Sequence, residues 1–159
     1  MWITARITAL RTRTLTTGKR VPMVNRLAAL LAISFDGLLI EDKTVYLFVS
    51  TYEKEQYVLA VDGVRALAAN CLQAGNIVLD VQIQNSSEIT LQDVMDVYRY
   101  QAVRDEQHAK NSLDKAQREE LVLVSVNPSY GASCLVLAES VELLKRQKWA
   151  EQVFLSVAR

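Results

Sequence analysis

Two stretches of the chain carry residue types that could do chemistry. The first is Leu121–Leu137, where the apolar run Leu121–Val126 gives way to Asn127-Pro128-Ser129-Tyr130-Gly131 and then to Ser133 and Cys134. A buried strand, a Pro/Gly loop and the start of a helix together present main-chain N–H groups to a ligand at the strand's carboxyl end. Asn127, Ser129, Tyr130, Gly131, Ser133 and Cys134 are therefore the candidate ligand loop. A cysteine in the first turn of such a helix would have a lowered thiol pKa and could serve as a nucleophile or redox group. Its sole candidate imidazole base is the single histidine, His108, which sits in the most charged helical stretch. The simpler reading makes Cys134, like Cys71, a small apolar residue facing the core, and His108 a solvated surface residue.

The second stretch is basic. Residues 1–35 hold Arg6, Arg11, Arg13, Lys19, Arg20 and Arg26 and no acid, whereas all 18 Asp and Glu residues of the chain follow residue 35. Arg11, Arg13, Lys19 and Arg20 stand among threonines on what reads as a hairpin or arm over residues 9–21. Cations so placed could grip the phosphates of a nucleic acid or another polyanion, with a salt dependence that grows with each contact. Aromatic residues that would stack bases are missing nearby apart from Trp2. The plainer alternative is that these bases neutralise acids of the same protein or of a neighbouring subunit. Thr16-Thr17-Gly18-Lys19-Arg20 has the look of a phosphate-loop tail, but the first glycine is missing and Arg20 stands where a Ser or Thr should hold magnesium. An NTPase is excluded.

Other chemistries find little support. Two cysteines 63 positions apart and one histidine cannot assemble a tetrahedral zinc site within one chain, and they make no disulfide framework. The acidic pairs Glu41/Asp42, Glu53/Glu55 and Asp93/Asp96 fall in turns or on polar helix faces, with no motif that couples them. No cofactor is expected. The run Leu27–Ile33 is far shorter than the ~20 residues of a membrane span, and no secretory signal is seen, so the expected location is the cytoplasm.

The elements that must position these residues follow from periodicity. With 159 residues, half of them hydrophobic, 23% charged and a formal net charge of zero, the chain suits one packed domain over residues 1–159. Residues 2–8 alternate as a strand, and Met23–Ile33 reads as a helix that Asp36-Gly37 ends. Leu38–Ile40, Val45–Ser50 and Tyr57–Val61 form a meander. A helix follows over 63–73 behind Asp62 as N-cap, then a strand over Ile77–Ile83. Thr90 and Asp93 make a capping-box start for the longest helical stretch, with Leu91, Val94, Met95, Tyr98 and Ala102 on one side. Leu121–Val126 reads as a central strand, and a last long helix runs from the 127–131 loop to Lys148. Residues 153–157 fit either a strand or a helix end. The expected class is α+β: a mixed, mainly antiparallel sheet of about five to six strands with helices packed on it.

The absence of catalytic motifs and the uneven charge favour a non-catalytic binding or assembly protein acting through protein–protein contacts, with self-association included. Polyanion binding through the basic segment, and a small-molecule enzyme or sensor with its site at 127–134, are the alternatives.

Overall fold

The structure, a computed structural model, describes residues 33–51, 53–70, 76–128 and 133–157. The expected strand at 2–8, the basic segment at 9–21 and nearly all of the expected helix from Met23 lie outside the described residues. In chain order the elements are β1 (Ile33–Glu41), β2 (Thr44–Thr51), β3 (Gln56–Asp62), β4 (Ala66–Asn70), β5 (Asn76–Gln84), α1 (Leu91–Tyr98), α2 (Glu106–Arg118), β6 (Val122–Pro128), β7 (Ser133–Ala138), β8 (Ser140–Lys145) and α3 (Arg146–Val157).

The class is α+β, as the sequence suggests, but the sheet is larger and simpler than expected. Eight strands form one ladder in the order β4-β7-β6-β5-β1-β2-β3-β8. Every pairing among the described residues is antiparallel. The ladder divides into two four-stranded layers, β4-β7-β6-β5 and β1-β2-β3-β8, joined on one side by a short pairing of residues 33–35 with 76–78. On the other side the join is covalent. β3 continues into β4 through residues 63–65, and β7 continues into β8 through Glu139. The two bent strands stay partnered through the corner, with Asp62 opposite Ser140 and Ala66 opposite Leu137.

Main-chain bonds hold this corner, from Arg65 N to Leu137 O at 2.8 Å and from Glu139 N to Asp62 O at 3.1 Å. Gly63 makes the turn at φ +66°, and a Cβ there would come within 2.5 Å of the Glu139 side chain, so both backbone angle and space call for glycine. Arg65 then binds Glu139 at 2.8 Å and Glu119, just past α2, at 3.2 Å.

Between the layers lies one apolar core, with Phe35, Leu47 and Leu59 from one side and Val81, Val124 and Val136 from the other. A second apolar cluster forms on the outside of the β4-β7-β6-β5 layer, where α1 and α2 set Val94, Met95, Val97, Ala109 and Ala116 against Leu121, Leu123 and Leu137. Strands β6 and β7 are thus apolar on both faces where the helices cover them, which explains the apolar run of Leu121–Val124. On the outside of the other layer, α3 places Trp149 against Tyr46 and Phe48, with ring centroids 5.5 and 5.1 Å apart. Arg146 lies over Phe48 at 5.2 Å and pairs with Asp36 at 2.7 Å.

Several expected elements are corrected. Asp36-Gly37 does not end a helix: it sits at a register shift inside β1, where Asp36 accepts hydrogen bonds from Ser34, Ser50 and Arg146. The helix expected over 63–73 is strand β4 through Asn70. Its alanines favour a helix locally, but pairing with β7 wins, and Ala68 leaves room for α1 to lie close on that face. The last long helix is overturned too. Residues 133–145 form β7 and β8, and helix begins only at Arg146. Leu and Val on both faces of β7 erase the period-two alternation that marks a strand, and the charges at Glu139, Glu142 and Lys145 imitate those of a helix dipole. Residues 153–157 are helical.

The Thr90 capping box forms as expected: Asp93 N donates to Thr90 Oγ1 at 3.2 Å, and Thr90 N donates to Asp93 Oδ2 at 2.8 Å. The helical stretch that follows breaks at Arg99, which adopts φ 57°, and resumes as α2. Along the surface of α2, Lys110 meets Glu106 at 2.7 Å, while Arg118 donates to the Asp114 carbonyl. No helix among the described residues is long and apolar enough to cross a membrane.

Candidate ligand-binding cleft

The outer face of the β4-β7-β6-β5 layer changes character along its strands. At one end Ala66, Leu137 and Leu123 lie under the helices. At the other end the outward positions turn polar. Because side chains alternate across a strand, Ser125 and Asn127 of β6 share the outer face with Leu123, while Val124 and Val126 point into the core. On β5, Asp80 and Gln82 face outward by the same alternation, opposite Asn127 and Ser125. On the far side, Ser133 of β7 pairs with Asn70 of β4, and Leu135 pairs with Ser125. The register thus aligns polar side chains from four neighbouring strands.

The C-terminal half of α1 stands beside this floor as a wall. Together they form a cleft of about 650 Å³ lined by Asn70, Gln82, Gln84, Ser125, Asn127 and Ser133 below, and by Asp93, Asp96, Arg99 and Tyr100 at the side. Its size falls in the range of small-molecule and peptide clefts. A second hollow has Asn111, Asp114, Gln117 and Arg118 of α2 as its described lining.

The cleft's polar groups are ordered, and only in part occupied. Asp80 fixes the floor by accepting from Asn127 Nδ2 at 2.7 Å and from Gln82 Nε2 at 2.8 Å. Arg99, turned towards β4 by its left-handed backbone, donates to Asn70 Oδ1 at 2.6 Å and to Ala69 O at 3.2 Å. That turn carries its guanidinium away from Asp96, which accepts from Gln92 at 2.8 Å. Among the described residues, Asp80, Asp93, Asp96 and Arg99 form no ion pair. Ser125 is 6% exposed, and no described group hydrogen-bonds its hydroxyl. A hydroxyl at the floor of an open cleft, able both to donate and to accept, is ready to bond what enters it. Beside it Tyr100 stacks on Tyr98, with ring centroids 5.3 Å apart and planes 10° from parallel. Burial first, then the neighbouring Tyr100, holds Tyr98 above the usual tyrosine range, so Tyr98 is neutral at physiological pH.

The residues singled out in the sequence are dispersed. Asn127 and Ser133 reach the cleft. Ser129, Tyr130 and Gly131 lie outside the described residues. Cys134 sits at no helix terminus: it is the second residue of β7, 1% exposed, and faces the core between the layers. Burial pushes its thiol up to about 11, the reverse of an activated nucleophile. His108 is exposed on α2, 6.5 Å from the Tyr100 ring centroid. Arg6, Arg11, Arg13, Lys19, Arg20 and Arg26 all lie outside the described residues. Among the described residues no cluster of three or more His, Cys, Asp or Glu could hold a metal ion.

The sequence reading missed Asn70, Gln82, Ser125 and Arg99. One signal was there to be found: Ser125 is the polar residue inside the otherwise apolar run Leu121–Val126. The others needed the register to bring them together.

No protein-family model matches the chain, and neither a curated protein nor a solved structure is similar to it.

Proposed function

We propose that this protein is a non-catalytic binding protein whose recognition surface is the polar cleft between α1 and the β4-β7-β6-β5 layer. The observation that carries this reading is Ser125, a residue 6% exposed whose hydroxyl bonds no described group, at the floor of a cleft where Asn70, Gln82, Asn127 and Arg99 are hydrogen-bonded in place. Preorganised polar groups on rigid strands favour specific recognition, because little ordering is left for the ligand to impose. Among the described residues, Ser125 and Ser133 have carboxamides as neighbours rather than an imidazole, which speaks against a nucleophilic hydroxyl. The small-molecule sensor reading at 127–134 gains from the same cleft, since Asn127 and Ser133 line it. Polyanion binding rests on the six early bases and gains nothing here, because the cleft carries more acid than base.

A ligand-observed NMR screen of the full chain with peptides, saccharides, amino acids and nucleosides tests the reading. A binder is expected to shift the amide signals of Asn70, Gln82, Ser125 and Asn127. Gln82→Trp, a change at an exposed rim position, should block it. Hits that bind the Gln82→Trp variant equally well would overturn the cleft as the recognition surface. Chemical conversion of a bound hit, seen by mass spectrometry, would overturn the non-catalytic reading.

A further inference from the structure

We infer that the ligand of this cleft is a short extended peptide carrying Lys or Arg side chains, supplied by another polypeptide. This inference rests on the binding role proposed above and names its ligand. Asp93 and Asp96 line the cleft, and Asp80, facing outward on β5, is bonded to Asn127 of its floor. All are held by neutral donors, and no cation among the described residues pairs with them. Arg99 donates to the neutral Asn70 and Ala69 oxygens. The balance is negative, which repels phosphates and attracts cations. A simple cation would use the acids and leave the rest idle. Asn70, Gln82, Gln84 and Asn127 keep carboxamide donors and acceptors beyond the bonds they already make, the complement of main-chain N–H and C=O groups. They project from β4, β5 and β6, with Ser133 of β7 between Asn70 and Asn127, and strands ~4.8 Å apart give a spacing that an extended segment crossing them can follow. Ser125 adds a hydroxyl for one more main-chain group, and the Tyr100 ring lines the cleft as a face for a guanidinium or ammonium.

The chain itself contains a segment of this chemistry, since residues 9–21 carry Arg11, Arg13, Lys19 and Arg20 without an acid. A synthetic peptide of residues 9–21 is therefore a suitable probe, titrated into the isotope-labelled full chain and followed by NMR. The expected result is a shift of the Asn70, Ser125 and Asn127 signals. Binding should weaken about tenfold between low and high salt, as screening removes the charge attraction. Replacing its four bases by Gln should weaken the peptide by about the same factor. Asp96→Lys, at an exposed position whose carboxylate accepts from Gln92, should also abolish most binding. Asp96→Asn should give an intermediate loss and guards against a folding defect in the lysine variant. Equal binding of the neutral peptide overturns the inference. So does binding of a linear saccharide or spermidine in place of the peptide, although a ligand-binding cleft would still stand. If none of these probes nor any other ligand moves the cleft signals, both readings fail.

Discussion

Arg99 reaches Asn70 Oδ1 at 2.6 Å from a backbone at φ 57°, ψ 38°, so the residue that closes α1 also ties that helix to β4. A left-handed conformation costs a non-glycine residue ~1–2 kcal/mol, and the bonds to Asn70 and Ala69 offset part of that. Arg99→Gly removes both the cost and the bonds and should leave stability within ~0.5 kcal/mol of the parent. Arg99→Ala keeps the cost and loses the bonds, and should be less stable by ~1 kcal/mol. Urea unfolding of the two variants checks the order. An Ala variant as stable as the Gly variant would mean that Arg99 does not bear this backbone angle.

At the corner between the layers, Gly63→Ala meets two obstacles, a positive φ and the Glu139 side chain. The expected loss is ~1–3 kcal/mol in urea or thermal unfolding. In the Glu139→Ala background the steric part should vanish and roughly 1 kcal/mol remain for the backbone. Additive losses would show that the side chain moves aside freely.

Thr90→Ala removes the hydroxyl that receives Asp93 N and should cost ~1 kcal/mol. Because α1 walls the cleft, the loss should appear as faster hydrogen exchange over residues 91–98. Unchanged exchange there would detach the cap from the stability of the wall.

Cys134 should stay unlabelled by thiol reagents between pH 6 and 9 in the native protein and react only on unfolding, as read by peptide mapping. Its thiol is pushed up to about 11 by burial, so no thiolate accumulates in that range. Labelling at the unfolding-independent rate of an exposed thiol would remove it from the core.

The hydrogen bond from Tyr57 to Glu55, at 2.6 Å, acts on both partners. That bond first, then Lys145, holds Glu55 below the usual carboxylate range, while the same bond raises Tyr57. A lowered carboxylate contributes stability above its unfolded pKa, and this is lost as pH falls through the folded value. A raised tyrosine contributes below its unfolded pKa, and this is lost as pH rises through the folded value. Tyr57→Phe should therefore bring the Glu55 titration, followed by carboxyl NMR, back towards the ordinary value. No movement would deny the bond in solution.

Much of the meander was legible from the sequence, because β1, β2 and β3 keep one face in the core and the turns between them are polar. Strand β5 was legible too, since Val81 and Ile83 face the core while Asp80 and Gln82 do not. What failed to show was β4 and β7. Ala66–Asn70 is helix-forming by composition, and Ser133–Ala138 is apolar on both faces, so in each case tertiary pairing overrode a local pattern. The cleft inherited that blindness. Asn127 and Ser133 were singled out for a loop before a helix, and they matter here as members of adjoining strands. Asn70 and Gln82 join them only through a register that one sequence does not display.

The bent strands have a mechanical corollary. Since β3 runs on as β4 and β7 as β8, each layer owns part of the other, and neither can be peeled off without tearing its counterpart. The slowest-exchanging amides on the two sides should then open as a single cooperative unit. Whatever stiffens the floor beneath Ser133 is transmitted along unbroken main chain to Arg146 and Trp149 on the opposite exterior.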